Sequence, residues 1–403
     1  MSATGHAVIA GGGIAGLTTA VVLCRKHWRV TLIEQAPEFS EVGAGLQLSP
    51  NGVRLLEALD VMPFLEQSLF EPEAIEMRYG RSGNKVFALP LRQAAVKRWG
   101  ARYINIYRPD LVSALLQRLE VFVASGQLQL INNQRVTGYT QSLDDLQVQV
   151  DSGEALSAEL LVAADGIQSI LRQQMHGNTA PRFTGNVAWR AVIPLEKLGA
   201  DAAPPTASIW TGDGKHAVTT RVRSGDWVNF VGVVEQDSWR EEGWRIRGTT
   251  EQALADFSGW NPVITACIES ANELYRWALY DRLPLPHWSD GRVVLLGDAA
   301  HPMLPSMAQG AVQSIEDAFV LGELLGQACA SNRGATAAAC VQLFAKRIER
   351  TTRVQKVSAK NMKLFHTRGR VRQLAKFEPA RIAGVVAPWV LYGMNNWLYG
   401  KRY

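Results

Sequence analysis

The strongest indication of this chain's fold is the stretch HAVIAGGGIAGLTTAVVLCRK, residues 6–26, together with RVTLIE, residues 29–34. It predicts an apolar strand, a glycine turn, a helix and a second strand, which together make a βαβ unit. Gly11, Gly13 and Gly16 form a GxGxxG pattern inside this unit. In that pattern the first glycine permits a tight turn, the second lets a pyrophosphate approach the backbone, and the third lets the helix pack closely on the strand. The stretch therefore predicts a dinucleotide site in which a helix N-terminus faces the phosphates.

Residues around the glycine turn complete the predicted site. Glu34 ends the second strand, where an acid can hydrogen-bond the ribose of a bound adenosine. Ala15 lies between the second and third glycines and is included among the cofactor-binding residues. No glycine ends the helix, and we expect His27 to take the left-handed conformation there, as a cap without a catalytic part.

Length and composition are those of a globular protein. The chain has 403 residues, of which 47% are hydrophobic and 20% are charged, enough for a sizeable core and for two domains or one elaborated domain. The net charge is +5, but the basic residues are scattered apart from a cluster between Arg347 and Arg381. This pattern favours solubility and attraction of anionic ligands over nucleic-acid binding. Since no secretory leader pattern and no stretch of about 18 uncharged apolar residues occurs, we expect a cytoplasmic protein without an integral membrane segment.

The cysteines predict no metal site. Cys24, Cys267, Cys329 and Cys340 form no CxxC pair and show no zinc-type spacing with histidines. We interpret them as buried, inert thiols in a reducing compartment.

A second glycine-rich loop follows the βαβ unit. In PEFSEVGAGLQLSPNGVRLLEAL, residues 37–59, the loop from Gly43 to Gly45 precedes a helix that is expected to begin near Pro50. A second loop of this kind indicates a larger and more enclosed cofactor, with Gly45 as one of its contacts.

Three more motifs are spread along the chain. The first is YRPDLVSALL, residues 107–116, with Arg108 just before a helix. The second is LLVAADGIQSILR, residues 160–172, a strand that runs into Asp165 and has DGxxSxxR spacing. The third is GRVVLLGDAAHPMLPSMAQGAVQSIEDA, residues 291–318, in which an acid follows a buried strand.

With these four motifs the chain resembles the FAD-dependent aromatic hydroxylases, the flavoprotein monooxygenase family that includes salicylate hydroxylase and 3-hydroxybenzoate 6-hydroxylase. The resemblance spans most of the chain and implies an α/β fold. An FAD-binding, Rossmann-like three-layer domain would carry an inserted substrate domain with a mixed or antiparallel sheet, followed by C-terminal helices. The FAD-binding domain would be discontinuous, over residues 1–70, 101–175 and 281–345. The substrate domain would occupy 71–100 and 176–280, and a C-terminal helical segment 346–403.

The resemblance also assigns cofactor contacts. Arg108 would contact FAD, Asp165 would support FAD and the pyridine nucleotide, and Asp298 would bond the ribityl chain. Pro305 would stiffen the loop beside the flavin ring, and a helix beginning at Gly310 and Ala311 would point at that ring. A surface arginine at a helix start and an aspartate that only caps a turn are the plainer alternatives for the first two.

The activity implied by the resemblance is oxygen transfer to a ring. NADH or NADPH would reduce FAD, and the reduced flavin would take up O2 as a flavin hydroperoxide and hydroxylate a small aromatic acid or phenol of the salicylate or hydroxybenzoate type. One alternative is a hydroxylase of a pyridine carboxylate such as 6-hydroxynicotinate, and another is an FAD-binding oxidoreductase of a different class. The choice between NADH and NADPH stays open.

The candidate catalytic residues are His216 and Gln309. The segment WTGDGKHAVTTRVRSGDWVN, residues 210–229, resembles the family strand whose histidine lies over the active site. An ordinary histidine pKa of about 6.5 suits a base that takes a phenol proton. Gln309 resembles a residue that borders the substrate, and His301 is interpreted as holding the loop. A purely structural histidine is the alternative for His216.

The same segment departs from the family pattern at Thr220, where many relatives have a tyrosine. Arg221 or Arg223 would clamp a substrate carboxylate if either faces inward, although alternating charges more often mark the solvent face of a strand. Arg190 is a further candidate for the flavin or substrate side.

The end of the chain is expected to be helical. Residues 312–325 and 340–362 carry apolar side chains at helical spacing. The aromatic tail, residues 386–403, is expected to pack against the body, with a homodimer face or a membrane contact as alternatives.

Overall fold

The computed structural model describes residues 5–39, 44–199, 203–239, 246–327 and 332–403. Gly43 and Cys329 lie outside the described residues.

The first sheet contains the strands of the predicted βαβ unit. Its strands, numbered in chain order, are β1 (His6–Ala10), β2 (Arg29–Ile33), β7 (Leu128–Ile131), β11 (Leu160–Ala163), β18 (Ser289–Asp290) and β19 (Val293–Leu295). They lie in the order β18-β19-β11-β1-β2-β7, and neighbours are parallel except for β18 with β19.

The second sheet has eight strands and is mostly antiparallel. Its strands are β4 (Ala74–Tyr79), β5 (Lys85–Pro90), β12 (Arg182–Pro194), β13 (Ala207–Gly212), β14 (Lys215–Val222), β15 (Trp227–Glu235), β16 (Ile246–Gly248) and β17 (Leu274–Asp281). Their order is β16-β17-β12-β15-β14-β13-β4-β5, with β13 and β4 parallel. Smaller sheets pair β3 (Gly45–Leu48) with β6 (Ile104–Tyr107), and β9 (Leu146–Val150) with β8 (Val136–Gln141) and β10 (Ala155–Ser157).

Helices cover both sheets. Their bounds are α1 (Ile14–Arg25), α2 (Pro50–Ala58), α3 (Arg92–Trp99), α4 (Arg108–Ala124), α5 (Ile170–His176), α6 (Leu195–Leu198), α7 (Thr250–Asp256), α8 (Pro262–Glu269), α9 (Gly310–Gln327), α10 (Arg333–Phe365), α11 (Arg370–Val386) and α12 (Pro388–Tyr399). Helix α1 packs on α4 and α9, while α7 and α8 bury Phe257 and Ile264 against Trp189 and Phe230 of the second sheet. The α/β fold with a second sheet and C-terminal helices is therefore confirmed.

The glycine turn forms for steric reasons. Gly11 has φ +102°, and a Cβ there would lie 2.4 Å from the carbonyl oxygen of Ala164. A Cβ on Gly16 would lie 1.9 Å from the carbonyl oxygen of Gly11, so only glycine lets α1 start this close to β1. His27 has φ +66°, which confirms its predicted left-handed conformation after α1. Helix α2 begins at Pro50, as predicted.

Helix α10 is continuous where the sequence predicts the start of the C-terminal helical segment. Helix α10 runs without a break from Arg333 to Phe365 and so crosses the predicted boundary between residues 345 and 346. On this helix Arg347 is fully buried and pairs with Glu316 and Asp317 of α9. These ion pairs connect the middle of α10 to α9, which packs on α1.

The described part of the chain contains no helix that is long and apolar enough to cross a membrane. Within the same residues, no group of histidine, cysteine, aspartate or glutamate side chains is placed to hold a metal ion.

Candidate active site

A cavity of about 840 Å³ connects the carboxyl ends of the first sheet's parallel strands with the face of the second sheet. Loops that leave β1, β2, β11 and β19 meet at one edge because parallel strands end on the same side, and ligands bind at such edges. The predicted residues that line the cavity are Gly11, Gly13, Ala15, Glu34, Gly45, Arg108, Asp165, Arg190, His216, Asp298, Pro305, Gln309, Gly310 and Ala311. Gly16 contributes through the packing of α1 against the turn.

Glu34 is anchored by backbone amides. Its Oε2 accepts a hydrogen bond of 2.6 Å from the amide of Gly12, and its Oε1 accepts one of 2.8 Å from the amide of Ala36. The carboxylate therefore braces the glycine turn at the end of β2, and it also reaches the cavity wall.

The DGxxSxxR motif joins two of the loops. Asp165 Oδ2 accepts a hydrogen bond of 3.0 Å from the amide of Ile170, and Ser169 Oγ caps α5 by accepting one of 2.9 Å from the amide of Arg172. The Arg172 guanidinium in turn donates to the carbonyl oxygen of Ala299 at 3.0 Å. The spacing thus has a physical reason, since this arginine holds the loop after β11 to the loop after β19.

Asp298 and Arg108 put opposite charges on the same cavity. The exposed surface of Asp298 opens onto the cavity, while protein surrounds the carboxylate on its other sides. Burial raises the pKa of Asp298, and His301 and Arg108 act against that rise. Burial likewise lowers the pKa of Arg108, and Asp298 acts against that change. Each group keeps its charge more readily because the other is near.

These residues fit a flavin dinucleotide. Asp165 Oδ1 lies buried at the cavity wall without a hydrogen-bond partner among the described residues, so a ligand hydroxyl or amide can satisfy it. Gly310 begins α9 on the cavity, and a Cβ there would meet nothing closer than 4.0 Å, which leaves room for a flat ring at the helix N-terminus. Acidic and basic side chains, glycine backbone and a helix end match the hydroxyls, phosphates and ring of FAD.

Comparison with known proteins decides the family. The FAD binding domain family matches residues 5–338. The chain is 32% identical over 397 residues to 3-hydroxybenzoate 6-hydroxylase 1 of Aquipseudomonas alcaligenes, covering 98% of this chain and 97% of that protein. It is 34% identical over 356 residues to 6-hydroxynicotinate 3-monooxygenase of Bordetella bronchiseptica strain RB50, covering 88% and 90%.

The chain belongs to the FAD-dependent aromatic hydroxylases. A salicylate hydroxylase solved as a substrate complex matches this hydroxylase's fold with a TM-score of 0.80 and 25% identity, over 98% of this chain and 95% of that one. FAD is the cofactor, and this class of hydroxylase uses NADH or NADPH as co-substrate.

The far end of the hydroxylase's cavity is apolar. Its walls include residues of β4, β5, β13, β14, β15, α10 and α11, namely Met77, Phe87, Leu89, Ile209, Val218, Val231, Val233, Leu364, Phe365 and Phe377. Such walls suit a flat ring and keep water from it.

His216 lies at this end, and its pKa differs from the sequence expectation. The side chain is 2% exposed and lines the cavity, and its Nδ1 is 2.8 Å from Nε2 of His366. Burial, with a smaller contribution from His366, lowers its pKa well below the ordinary value that we assumed from sequence. The imidazole is therefore neutral near pH 7, with a nitrogen able to accept a proton.

Gln309 is held by other side chains at the start of α9. It is 1% exposed, its Nε2 donates to Ser49 Oγ at 2.8 Å, and its Oε1 accepts from Gln313 Nε2 at 3.1 Å. The surrounding protein therefore fixes the orientation of this amide at the cavity wall.

The candidate arginines are divided between the two faces of the second sheet. Arg190 lies on the cavity with its guanidinium 4.2 Å from the ring centroid of Trp277, and burial lowers its pKa to about 9. Arg221 is absent from the described residues that line the cavity, and its Nε donates to the carbonyl oxygen of Ala203 at 2.8 Å. It is an odd number of residues from His216 on β14, so it points to the opposite face.

Arg221 was a clamp candidate only if it faced inward, and it does not line the cavity; the same holds for Arg223. The guanidinium of Arg223 lies 4.4 Å from the ring centroid of Tyr107 and 3.6 Å from Asp110 Oδ1. These contacts hold the Arg223 side chain beside the first turn of α4 and away from the cavity wall.

Thr220, where the chain departs from the family pattern, is connected to the second glycine-rich loop through Asn229. Asn229 Nδ2 donates to Thr220 Oγ1 at 3.3 Å, and Asn229 Oδ1 accepts from the amide of Gly45 at 2.7 Å. Asn229 also lines the cavity, and sequence reasoning missed it.

The C-terminal helices supply residues that sequence reasoning also missed. Lys376 and Phe377 of α11 line the cavity, and His366, which follows α10, contacts His216 from a position 150 residues along the chain. No local motif marks these residues, because only the packing of α10 and α11 over the second sheet brings them to the cavity.

Proposed function

We propose that this protein hydroxylates a small aromatic acid or phenol of the salicylate or hydroxybenzoate type. The observation that carries the proposal is one cavity whose polar end is built from the FAD motifs and whose apolar end holds His216. A flat ring bound at the apolar end would lie next to the flavin, which is the arrangement that oxygen transfer requires.

The chemistry divides between cofactor and protein. When bound, FAD would supply the redox chemistry, with NADH or NADPH as the hydride donor, O2 as the source of the ring oxygen and water as the other product. The chain's own residues orient the ring, exclude water and accept the proton of the ring hydroxyl. Removal of that proton raises the electron density of the ring, which favours attack by an electrophilic oxygen.

Specific residues are proposed for these tasks. His216 accepts the hydroxyl proton, and Gln309 positions the ring at the start of α9. Gly11, Gly13, Ala15, Gly16, Glu34, Gly45, Arg108, Asp165, Asp298, Pro305, Gly310 and Ala311 hold FAD. Arg190, between the apolar wall and Arg108, provides positive charge for a substrate carboxylate or for the flavin.

The substrate charge is a finer part of the proposal. Lys376 is exposed and also lines the cavity, and its ammonium group donates to Thr367 Oγ1 at 3.3 Å, so we place it at the rim through which an anion would enter. We expect Lys376→Met to raise KM for a hydroxybenzoate and to leave KM for the corresponding hydroxybenzamide unchanged. Equal changes for both compounds would contradict a role in recognising the carboxylate.

The function is tested by a substrate panel with two products measured together. NADH and NADPH oxidation by the FAD-saturated protein is followed with salicylate, 3-hydroxybenzoate, 6-hydroxynicotinate and unsubstituted benzoate, and hydrogen peroxide and hydroxylated product are both assayed. Oxidation that is coupled to hydroxylated product supports the proposal. Oxidation that yields only hydrogen peroxide with every compound favours an FAD-binding oxidoreductase of another class.

A pyridine carboxylate is the second candidate substrate. The similarity to 6-hydroxynicotinate 3-monooxygenase over 88% of the chain supports it. A kcat/KM for 6-hydroxynicotinate well above that for the hydroxybenzoates would select this candidate, and the reverse order would remove it.

The domain division is also a proposal. We assign FAD binding to residues 1–70, 101–175 and 281–345 and substrate binding to 71–100 and 176–280. The strands of the first sheet fall in the former ranges, and those of the second sheet fall in the latter except that β17 ends at Asp281. The helical segment 346–403 closes the substrate side, since α11 packs on β5.

We further propose a homodimer formed through α11 and α12. Ile382, Val385, Val386, Trp389 and Met394 are each more than half exposed, at 57%, 79%, 70%, 62% and 67%. No lysine, arginine, aspartate or glutamate occurs from residue 382 to residue 400, so the exposed apolar side chains of this stretch suit a second copy of the same face.

Sedimentation velocity tests the homodimer. The wild-type protein should sediment as a dimer, and Trp389→Glu should shift it to a monomer. Leu143→Glu, at a site 92% exposed and far along the chain, is the control and should stay dimeric. A monomeric wild-type protein would contradict the proposal.

The free and buried thiols of Cys24, Cys267 and Cys340 support the proposed cytoplasmic location.

A further inference from the structure

Three side chains connect the cavity wall with the protein surface. His216 Nδ1 lies 2.8 Å from His366 Nε2, and His366 Nδ1 lies 3.3 Å from Glu235 Oε1. His216 is 2% exposed and His366 is 5% exposed, whereas the Glu235 side chain is 40% exposed. The row therefore begins at the buried cavity and ends in solvent.

The carboxylate at the outer end determines the protonation of both rings. An ionised carboxylate only accepts hydrogen bonds, so His366 carries its proton on Nδ1. Its Nε2 is then an acceptor, and His216 must donate to it from Nδ1. The lone pair of His216 is left on Nε2, the nitrogen on the other side of the ring, while the residue lines the cavity.

We propose that His366 and Glu235 are positioning residues that orient His216 as a proton acceptor and carry the proton of the substrate hydroxyl to solvent. The inference rests on the proposed function, since His216 must receive that proton first. The O–H bond of the substrate breaks as an N–H bond forms on His216 Nε2. The Nδ1–H of His216 passes to His366 Nε2, and the Nδ1–H of His366 passes to Glu235 Oε1 and then to water.

No electrons change hands in this sequence, and its reversal on product release restores both rings. Transfer along the row also avoids a lasting charge at the cavity. Burial lowers the pKa of His216 and of His366, so an imidazolium at either position is disfavoured. Glu235 Oε2 also accepts a hydrogen bond from the guanidinium of Arg368, and Lys376 is another nearby cation, through its contact with Thr367.

The tautomers provide a test that needs no substrate. In the FAD-saturated protein labelled with ¹⁵N-histidine, two-bond ¹H–¹⁵N correlation spectra distinguish Nδ1–H from Nε2–H rings, and His216→Gln and His366→Gln assign the two signals. Both rings should be Nδ1–H tautomers. Glu235→Leu, which removes the acceptor, should shift His366 toward the Nε2–H form. A wild-type His216 with its proton on Nε2 would overturn the proposal.

Product formation tests the relay itself. With a panel compound that is hydroxylated by the wild type, His366→Gln should lower the rate of product formation by about 10-fold or more, at unchanged FAD content. Added imidazole should restore part of the rate of His366→Ala, which a merely structural role would not allow. His287→Gln is the control, because exposed His287 also stacks on a histidine, 4.5 Å from His176 between ring centroids, at the surface.

The outcomes separate the two proposals. A wild-type protein that forms product no faster than His366→Gln contradicts the relay alone. A wild-type protein that hydroxylates no panel compound contradicts the proposed function, and the tautomer spectra then still decide whether the row orients His216.

Discussion

Replacement of Arg347 by methionine should destabilise the protein more than any other single ion-pair change in the described residues. Arg347 is fully buried and donates to Glu316 Oε2 at 2.6 Å and to Asp317 Oδ1 at 2.7 Å. It also donates to Gln313 Oε1 at 2.7 Å and to the hydroxyl of Tyr403. Methionine keeps the apolar stem but leaves two carboxylates in a protein interior without their shared cation.

The size of the effect follows from these contacts. Removal of one partner from a buried ion pair costs about 3–5 kcal/mol, because the remaining charge is left uncompensated. Glu316 retains Arg350, and Asp317 retains His301 at 2.5 Å, so the expected loss in free energy of unfolding is about 3 kcal/mol, at the lower end of that range.

The matched control is Arg350→Met. Arg350 pairs with Glu316 and its side chain is 10% exposed, but Arg347 stays in place to compensate the same carboxylate. We expect a loss of about 1.5 kcal/mol, at the lower end of the range for a hydrogen bond to a charged group.

The assay is urea unfolding at a fixed concentration of excess FAD, followed by circular dichroism, because bound cofactor adds to the apparent stability. Arg347→Met combined with Glu316→Gln and Asp317→Asn should regain part of the loss, since no buried charge is then left alone. If Arg347→Met is no less stable than Arg350→Met, the cluster does not contribute as the contacts indicate.

Four further changes have defined outcomes. Gly16→Ala, whose Cβ would lie 1.9 Å from a backbone oxygen, should abolish FAD binding measured by flavin absorbance, whereas Gly393→Ala, with no atom within 4 Å, should bind normally; equal binding by both would contradict the steric argument. Although burial acts to raise the pKa of Glu316, its arginine partners lower it to about 2. This group therefore stabilises the fold fully above its unfolded pKa of about 4.3, and the contribution is lost as pH falls toward 2; Glu316→Gln should flatten acid unfolding over this window. His216→Ala should lower coupled product formation by about 100-fold while FAD stays bound, and an unchanged product yield would remove it as the proton acceptor. Arg172→Met should raise the Kd for FAD at least about 10-fold, as judged by fluorescence titration, because two cofactor loops lose their connection; an unchanged Kd would show that the loops hold without it.

The cofactor end of the cavity was largely predictable. Glycine spacing, strand ends and the residues that follow them are local features, and the carboxyl ends of parallel strands must meet at one edge. Glu34, Asp165 and Asp298 could therefore be placed together from motifs alone. The left-handed conformation of His27 was predictable for the same reason, since it depends on the chain immediately around it.

The apolar end of the cavity was less predictable. Arg221 was one of two candidates for a clamp if it faced inward, but its position on β14 relative to His216 turns it to the other face of the sheet. The pKa of His216 could not be judged from sequence either, because it depends on burial by residues that are far away in the chain.

The βαβ unit, the FAD motifs and the family of the enzyme could be predicted from the sequence alone, because those features depend on residue spacing and on glycine sterics. Long-range packing decides which side chains surround the apolar end of the cavity and brings His216, His366 and Glu235 into one row. His366 and Lys376 lie on a C-terminal segment with no motif, and Glu235 ends a strand in the middle of the chain. Their roles arise from helices that fold back over the second sheet, and long-range packing of that kind leaves no local pattern in the sequence.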